Sequence, residues 1–219
     1  MTVWFASGNA HKKEELASIL AASGEYKVRI PADAGLDFDP DETGNDFCEN
    51  ALLKARALYD ILSSRPSLFQ NGDSIIADDS GLCVDALDGR PGLYSAVYTG
   101  KVITCLQDIS PDAKKIHSSE RNALLLAEMG DKPNRGARFV CSMVLLYNPS
   151  RFFLAQETME GEIVKGPEFA KGTGGFGYDP VLFIPELGRT VAELSEDEKN
   201  IFSHRAKSGK IIATMLKNI

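Results

Sequence analysis

Short apolar runs alternate with amphipathic segments through the first third of the chain. The apolar runs have the length of buried strands, and the segments between them repeat their apolar residues with a helical period, as Leu16, Ile19 and Leu20 do. A polar loop rich in Asp, Gly and Pro covers residues 33–46. The pattern predicts strands at residues 3–6, 26–30 and 74–77 and helices at residues 10–22 and 47–62.

The second half of the chain carries two segments with the pattern of long strands, at residues 138–147 and 152–159. They are joined at Asn148-Pro149-Ser150, which predicts an antiparallel hairpin. Ser195, with Glu198 three residues later, has the capping-box pattern and opens the last helical region. A helix at residues 120–129 and a strand at 181–184 complete the prediction of an α/β fold, with a mixed sheet flanked by helices in one domain, residues 1–219.

The composition narrows the class of protein. The chain has 219 residues and a formal net charge of -7, which argues against nonspecific binding to nucleic acid. No apolar run approaches the roughly 20 residues that cross a bilayer, and the first residues lack the pattern of a secretory signal. The four cysteines include no CxxC pair, and Cys83 and Cys141, inside apolar runs, are expected to be buried thiols. We therefore expect a cytoplasmic protein without a membrane partner.

Two lysines occupy positions that a bound anion would explain. Ser7-Gly8-Asn9 lies between the first strand and the first helix, where unpaired N–H groups and the helix dipole favour a phosphate, and Lys12 follows in the first turn. A plain capped helix with a surface lysine explains the same residues. Lys54 falls near the centre of the stripe that begins at Phe47 and ends at Ile61, so it must reach solvent, pair with a carboxylate or contact a ligand.

Asp78 and Asp79 directly follow the strand predicted at residues 74–77. Ligands of open α/β sheets gather at the carboxyl ends of strands. Consecutive residues of an extended chain point to opposite faces, so the two aspartates are expected to differ in role, with one facing a metal and the other orienting a loop or helix end. Carboxylates together with substrate phosphates are the ligands that Mg²⁺ requires. A solvated turn is the alternative.

A glycine-rich segment, Gly172-Thr173-Gly174-Gly175-Phe176-Gly177, formally matches GxGxxG. The residues after it lead into an apolar strand rather than a helix, so a dinucleotide-binding fold is not indicated. The segment could present backbone groups and the aromatic faces of Phe176 and Tyr178 to a base, or it could be a tight connection between strands.

Lys199, His204 and Arg205 form a small cationic group near the end of the chain. They could bind phosphate or the edge of a base, or they could lie on an ordinary charged helix. With only three histidines in the chain, neither a Ser-His-Asp arrangement nor a histidine metal site is supported.

In this order, the segments resemble the inosine triphosphate pyrophosphatase family over nearly the whole chain. Ser7 stands where the family usually has threonine, which keeps the hydroxyl, and residues 63–73 and 101–119 depart from the family pattern. The matching motifs are Ser7-Gly8-Asn9-Ala10-His11-Lys12, Glu42-Thr43-Gly44, Phe47-Cys48-Glu49-Asn50-Ala51 with Lys54-Ala55, Ala77-Asp78-Asp79-Ser80-Gly81-Leu82, Pro91-Gly92-Leu93-Tyr94-Ser95-Ala96, residues 172–180 and Ser203-His204-Arg205.

The resemblance implies a homodimer with an elongated mixed α/β fold and an active-site cleft between two lobes. It implies hydrolysis of the deaminated purine nucleotides ITP, dITP and XTP to the monophosphate and pyrophosphate, with Mg²⁺. Glu42 and Asp79 would bind the metal, and Asp79 would also act as the base. The substrate would be bound by Ser7, Gly8, Asn9, Ala10, His11 and Lys12 at the phosphates, by Lys54 and Ser80, and by Phe176, Gly177, Tyr178, Asp179, Lys199, His204 and Arg205 at the base and sugar.

Selectivity for deaminated purines has a physical explanation. Hypoxanthine and xanthine present an acceptor at C6, where adenine presents an amino group. A buried donor aimed at this position would be left unpaired against ATP, at a cost in free energy. We hypothesise that His204, Arg205 or N–H groups near residues 176–177 provide it. A related enzyme for modified pyrimidine nucleotides and a noncatalytic nucleotide-binding protein are the alternatives, and Glu42 and Asp79 favour an enzyme.

Overall fold

The computed structural model describes residues 1–103, 105, 108–109, 112–113, 116–175 and 177–218. Seven strands in this part of the chain form one mixed sheet in the order β2-β1-β3-β4-β5-β6-β7, with β1 parallel to β2 and β3, and β6 antiparallel to β5 and β7. The strands are β1 (Thr2–Phe5), β2 (Lys27–Arg29), β3 (Ser74–Val84), β4 (Gly136–Asn148), β5 (Arg151–Ile163), β6 (Leu182–Ile184) and β7 (Arg189–Thr190). The helices are α1 (Ala10–Ala21), α2 (Phe47–Ser63), α3 (Ser118–Met129), α4 (Glu196–Phe202) and α5 (His204–Lys217).

The predicted mixed α/β class is confirmed, and each predicted strand and helix is present, with small shifts at its ends except in β3. The two long strands of the predicted hairpin, β4 and β5, are neighbours joined by two residues, a link that only antiparallel strands can use. Phe176 and parts of the segment 101–119 lie outside the described residues.

One strand boundary was predicted wrongly. The strand expected to end at Ala77 continues to Val84, so Asp78 and Asp79 lie inside β3 and not in a turn after it. Two aspartates followed by serine and glycine are typical of a turn. Here the chain stays extended because buried cationic side chains pair with both carboxylates.

The chain folds into two compact units, and the first comprises Met1–Ser80, Cys141–Glu157 and Asn200–Ile219. Its strands alternate strictly between two cores. Val3 and Phe5 of β1 pack with apolar residues of α1 and α5, whereas Trp4 and Ala6 pack with α2. The helical period of α2 is confirmed, but Leu62 is the last buried residue of its stripe, whereas Ile61 is only partly buried.

The second unit comprises Gly81–Val140 and Thr158–Lys199. Its core joins α3, through Leu125 and Met129, to residues of the strands and to the buried rings of Tyr98 and Tyr178. The predicted capping box is confirmed, because the Ser195 N–H donates to Glu198 at 2.9 Å and the Glu198 N–H donates to the Ser195 hydroxyl at 3.2 Å.

Two further sequence expectations concern thiols and membrane spans. Cys141 is buried as expected, whereas Cys83 is only partly buried. Among the helices within the described ranges, none is long and apolar enough to cross a membrane.

Candidate active site

Asp78 and Asp79 point to opposite faces of β3, as the alternation of a strand predicts. Asp78 shares its side of the strand with Ile76, which packs with α1 and α5. Asp79 shares its side with Ala77, which packs with α2. The alternation of side chains along β3 therefore places the two carboxylates beside different helices, where they have different partners.

Asp78 lies at the centre of a buried group that we call the Asp78 cluster, and it is only 1% exposed. The Lys12 ammonium lies 3.0 Å from Asp78 Oδ2, and Arg205 Nε donates to the same oxygen at 3.1 Å. Arg205 also donates through Nη1 to Glu15 Oε2 at 2.5 Å and through Nη2 to Ser80 Oγ at 3.1 Å. The cluster is Lys12, Glu15, Asp78, Ser80 and Arg205, in which two cations balance two carboxylates.

The electrostatics of this cluster keep Asp78 ionised. Burial by itself raises the pKa of Asp78, but the charges of Lys12 and Arg205 outweigh burial and hold the pKa well below its ordinary value. Burial likewise opposes the charge of Arg205, and Asp78 and Glu15 more than compensate, so its pKa is raised.

On the other face of the strand lies a second group, the Asp79 cluster, formed by Glu42, Asn50, Lys54 and Asp79. Lys54 Nζ lies 2.9 Å from Asp79 Oδ1 and 3.4 Å from Glu42 Oε1. Asn50 Nδ2 donates to Asp79 Oδ2 at 3.2 Å. Of the three outcomes considered for Lys54, pairing with a carboxylate is the one observed.

The pKa of Asp79 is shifted in the opposite direction from that of Asp78. Burial raises the pKa of Asp79, the Lys54 charge lowers it and the Glu42 charge raises it, and the net direction is upward. Burial lowers the pKa of Lys54, but the surrounding carboxylates raise it by more. The net direction is upward, so the ammonium stays charged. Asp79 is therefore more basic than an ordinary aspartate.

Glu42 and Asp79 are the residues of this unit that could hold a metal. Both carboxylates contact the Lys54 ammonium group, so they lie near each other and near one positive charge. Over the described part of the chain, no three His, Cys, Asp or Glu side chains converge as metal ligands. Mg²⁺ commonly uses one or two carboxylates and completes its shell with water and substrate phosphates. The donor set therefore fits Mg²⁺ better than a metal that needs three or four protein ligands.

The predicted phosphate-binding turn precedes α1 in the same unit. Asn9 caps the helix by accepting the Lys12 N–H at 3.2 Å, and Ser7 Oγ accepts the Asn9 N–H at 3.1 Å. A Cβ atom at Gly8 would meet no atom within 4 Å, so nothing in the described protein requires a glycine there. Ala10 is the first residue of α1, and the His11 side chain is 79% exposed.

The glycine-rich segment belongs to the second unit and is built around an ion pair. Lys199 Nζ lies 2.8 Å from Asp179 Oδ2. A Cβ atom on Gly175 would overlap Asp179 Oδ2 and Lys199 Nζ, so the pair leaves no room for a side chain. The carbonyl of Gly177 accepts a hydrogen bond from Asn122 Nδ2 at 3.2 Å.

The expected aromatic face is wrong for Tyr178. Its ring is 4% exposed and packs in the core of the second unit. Its hydroxyl donates to the Ser95 carbonyl at 2.9 Å, and burial raises its pKa. The apolar ring is more stable in the core than in a site open to solvent, which leaves only the backbone of this residue for a ligand.

His204 and Arg205 open α5. Burial and the neighbouring charge of Arg205 lower the pKa of His204 well below its ordinary value, so the imidazole is neutral at pH 7. Arg205, expected at the base and sugar, instead directs Nε, Nη1 and Nη2 at groups of the Asp78 cluster.

Two residues of these clusters were not singled out from the sequence as candidates for the site. Glu15 lies three residues after Lys12, a spacing that places both on one side of a helix. Asn50 is an amide in an apolar helix stripe, where a polar group needs a partner.

The protein is thus a mixed α/β protein with a pair of adjacent, buried carboxylates on one strand. Comparisons with known proteins show the family to which it belongs. The chain belongs to the Ham1 family, whose model matches residues 3–215. It is 39% identical over 217 residues to the dITP/XTP pyrophosphatase of Treponema denticola, covering 99% of both chains. It is 40% identical to the dITP/XTP pyrophosphatase of Shigella flexneri, over 99% of this chain and 98% of that protein. The solved structure of a HAM1 protein from Coxiella burnetii matches with a TM-score of 0.79 and 32% identity, covering 100% of both chains.

Proposed function

We propose that this chain is a nucleoside-triphosphate pyrophosphatase that hydrolyses dITP, XTP and ITP to the monophosphate and pyrophosphate. The observation that carries the proposal is the pair of adjacent aspartates on β3, each held by its own lysine on a different helix. The names of the Treponema denticola and Shigella flexneri relatives support the substrate class.

The charge of the two clusters supports a requirement for Mg²⁺. Three cations face four carboxylates, so the seven side chains carry a net charge of -1: Lys12, Lys54 and Arg205 against Glu15, Glu42, Asp78 and Asp79. A triphosphate would be repelled by this net charge. A divalent cation held by Glu42 and Asp79 would reverse its sign. When bound, Mg²⁺ neutralises charge on the phosphates and polarises the reacting phosphoryl group.

The residues of the first unit would divide the work. Lys12 and Lys54 would hold the triphosphate chain, because their ammonium groups are the cations beside the adjacent carboxylates of β3 and retain 16% and 10% side-chain exposure. Asp79 would accept a proton from the water that attacks the α-phosphorus, a role that its raised pKa favours. Asp78, which is saturated by Lys12 and Arg205, would position these cations without taking part in proton transfer.

Recognition of the purine base requires a donor for its C6 oxygen. Because Arg205 directs its donors at Asp78, Glu15 and the Ser80 hydroxyl, we assign this donor to neutral His204 or to backbone N–H groups near residues 176–177. Asp179 and Lys199 would contact the base and sugar. The homodimer and the cytoplasmic location are proposed from the family resemblance alone.

Product analysis tests the proposal. The protein is incubated with dITP, XTP, ITP or ATP and Mg²⁺ in water enriched in ¹⁸O. We expect a labelled monophosphate and unlabelled pyrophosphate from the deaminated purines, and little product from ATP. Asp79→Asn should lower kcat by roughly 10²- to 10⁴-fold, the usual contribution of a general base, while Asp33→Asn serves as a surface control. A diphosphate product, or binding of dITP without hydrolysis, would refute the proposal, and faster hydrolysis of modified pyrimidine nucleotides would reassign the substrate.

A further inference from the structure

A single buried amide connects Asp79, one of the two carboxylates proposed for the metal, to the loop that carries the other, Glu42. Asn50 is 2% exposed on α2, one turn before Lys54. Its Nδ2 donates to Asp79 Oδ2 at 3.2 Å, and its Oδ1 accepts the Gly44 N–H at 2.8 Å. A backbone N–H can only donate and an ionised carboxylate can only accept, so the amide is oriented from both sides. Asn50 thus links β3 to the loop that carries Glu42.

This loop is packed closely against the start of α2. A Cβ atom on Gly44 would lie 2.7 Å from Asn50 Oδ1 and 2.7 Å from Glu49 Cβ, so only glycine permits this approach. The following residues are anchored to the helix, because Glu49 Oε2 accepts the Asn45 N–H at 2.7 Å and Asp46 accepts the Glu49 N–H at 2.8 Å. These anchors fix the loop to α2, and the Asn50 amide joins this attachment to Asp79, beside the ion pairs of Lys54 with Asp79 and Glu42.

Glu42 depends on this attachment more than Asp79 does. Asp79 belongs to a strand and is largely buried, whereas the Glu42 side chain is 46% exposed on a loop. Glu42 pairs with Lys54 at 3.4 Å, a longer contact than the 2.9 Å between Lys54 and Asp79. The position of Glu42 relative to Asp79 therefore rests on the Gly44–Asn50–Asp79 connection together with the ion pairs of Lys54.

We propose that Asn50 is a positioning residue that sets the separation between Glu42 and Asp79 and so determines the affinity for the divalent cation. The inference rests on the proposed function, because that function assigns both carboxylates to the metal. Asn50 would not contact the cation or the substrate. Groups that orient metal ligands in this way typically contribute roughly 10- to 100-fold to metal affinity.

The test is a direct titration of the protein with Mn²⁺, following free Mn²⁺ by electron paramagnetic resonance. Asn50→Ala should weaken Mn²⁺ binding roughly 10- to 100-fold relative to the wild type. Gly44→Ala should weaken Mn²⁺ binding similarly, because this substitution displaces the loop while leaving Asn50 in place. This second variant tests the inference if Asn50→Ala fails to fold. In hydrolysis of dITP, the Asn50→Ala defect should shrink as Mg²⁺ is raised.

Ser142→Ala is the matched control, because Ser142 is fully buried and hydrogen-bonded in the same unit, to Gln156 at 2.8 Å. It should lower thermal stability and leave the Mn²⁺ affinity unchanged. Wild-type Mn²⁺ affinity in folded Asn50→Ala, or in Gly44→Ala where Asn50→Ala does not fold, would overturn the inference, whatever the enzyme hydrolyses. Wild-type protein that binds no Mn²⁺ would overturn it together with the metal assignment. If the affinity changes as expected but dITP is not hydrolysed, the proposed function fails and the positioning role stands.

Discussion

Replacing Asp78 with asparagine removes one charge from the centre of a buried cluster and changes the shape of the side chain very little. The substitution leaves Lys12 and Arg205 facing only one carboxylate of the cluster, Glu15. The side chains of Asp78 and Arg205 are 1% and 3% exposed, so the guanidinium cannot turn to water. The Lys12 side chain is 16% exposed and can do so in part.

The expected loss of stability follows from this difference in exposure. Removing one partner of a buried ion pair costs about 3–5 kcal/mol. We expect Asp78→Asn to lie near the lower end, at about 3 kcal/mol, since Glu15 retains part of the charge balance of Arg205. Asp33→Asn is the control: Lys13 and Asp33 form a shorter pair, at 2.7 Å, but their side chains are 29% and 32% exposed, and such surface pairs contribute about 0–1 kcal/mol.

Urea unfolding followed by circular dichroism measures both variants. The pH dependence adds an independent check. Lys12 and Arg205 hold the pKa of Asp78 below its unfolded value of about 3.9. The stabilisation is therefore complete above that pH and is lost as the pH falls below it, so the gap between wild type and Asp78→Asn should narrow on acidification. A loss below about 1 kcal/mol, or one equal to that of Asp33→Asn, would refute the reasoning.

Three further predictions use other parts of the molecule. Lys54→Gln should lower kcat/KM for dITP by roughly 10²-fold, because the site loses a fixed positive charge that would contact the triphosphate. Steady-state kinetics that match the wild type would contradict this. Burial raises the pKa of Cys141 to about 12, so iodoacetamide near neutral pH should label exposed Cys105 and spare Cys141 until urea unfolds the protein. Peptide mass spectrometry checks this prediction, and equal labelling of both thiols would exclude it. Ser203→Ala should cost about 1 kcal/mol by loss of the α5 cap, whereas Ser203→Asp should retain stability in the same urea assay; equal losses would argue against capping.

The order of strands and helices could be predicted because each element carries its own periodicity. β1 is a clear case, since Val3 and Phe5 face one core while Trp4 and Ala6 face the other. The end of β3 could not be predicted in this way, because its polar residues match the composition of a turn. Their pairing partners lie far along the chain, as Arg205 does for Asp78, and local pattern contains no information on such contacts.

The candidate site was predicted unevenly for the same reason. Lys54 stood out because a charge in an apolar stripe needs an explanation, and its partner Asp79 was already a candidate. The burial of Tyr178 was missed because an aromatic residue near glycines has the same local signature in a core as in a binding surface. Glu15 was missed because a carboxylate in the first turns of a helix is common, and only the distant Arg205 gives it a role.

Four acidic residues near the motifs are candidates for the metal, and their hydrogen bonds favour two of them. Asp78 is already surrounded by two cations, with contacts of 3.0–3.1 Å to both of its oxygens. Glu49 is engaged with the backbone and side chain of Asn45. Glu42 and Asp79 instead share one lysine, which leaves that cluster with one negative charge in excess. Because a cation binds where negative charge is in excess, the electrostatics favour a cation on the α2 side of β3. The alternation of the strand thus separates the charge-balanced Asp78 carboxylate from the Asp79 carboxylate, which we propose as metal ligand and base, across a single peptide bond.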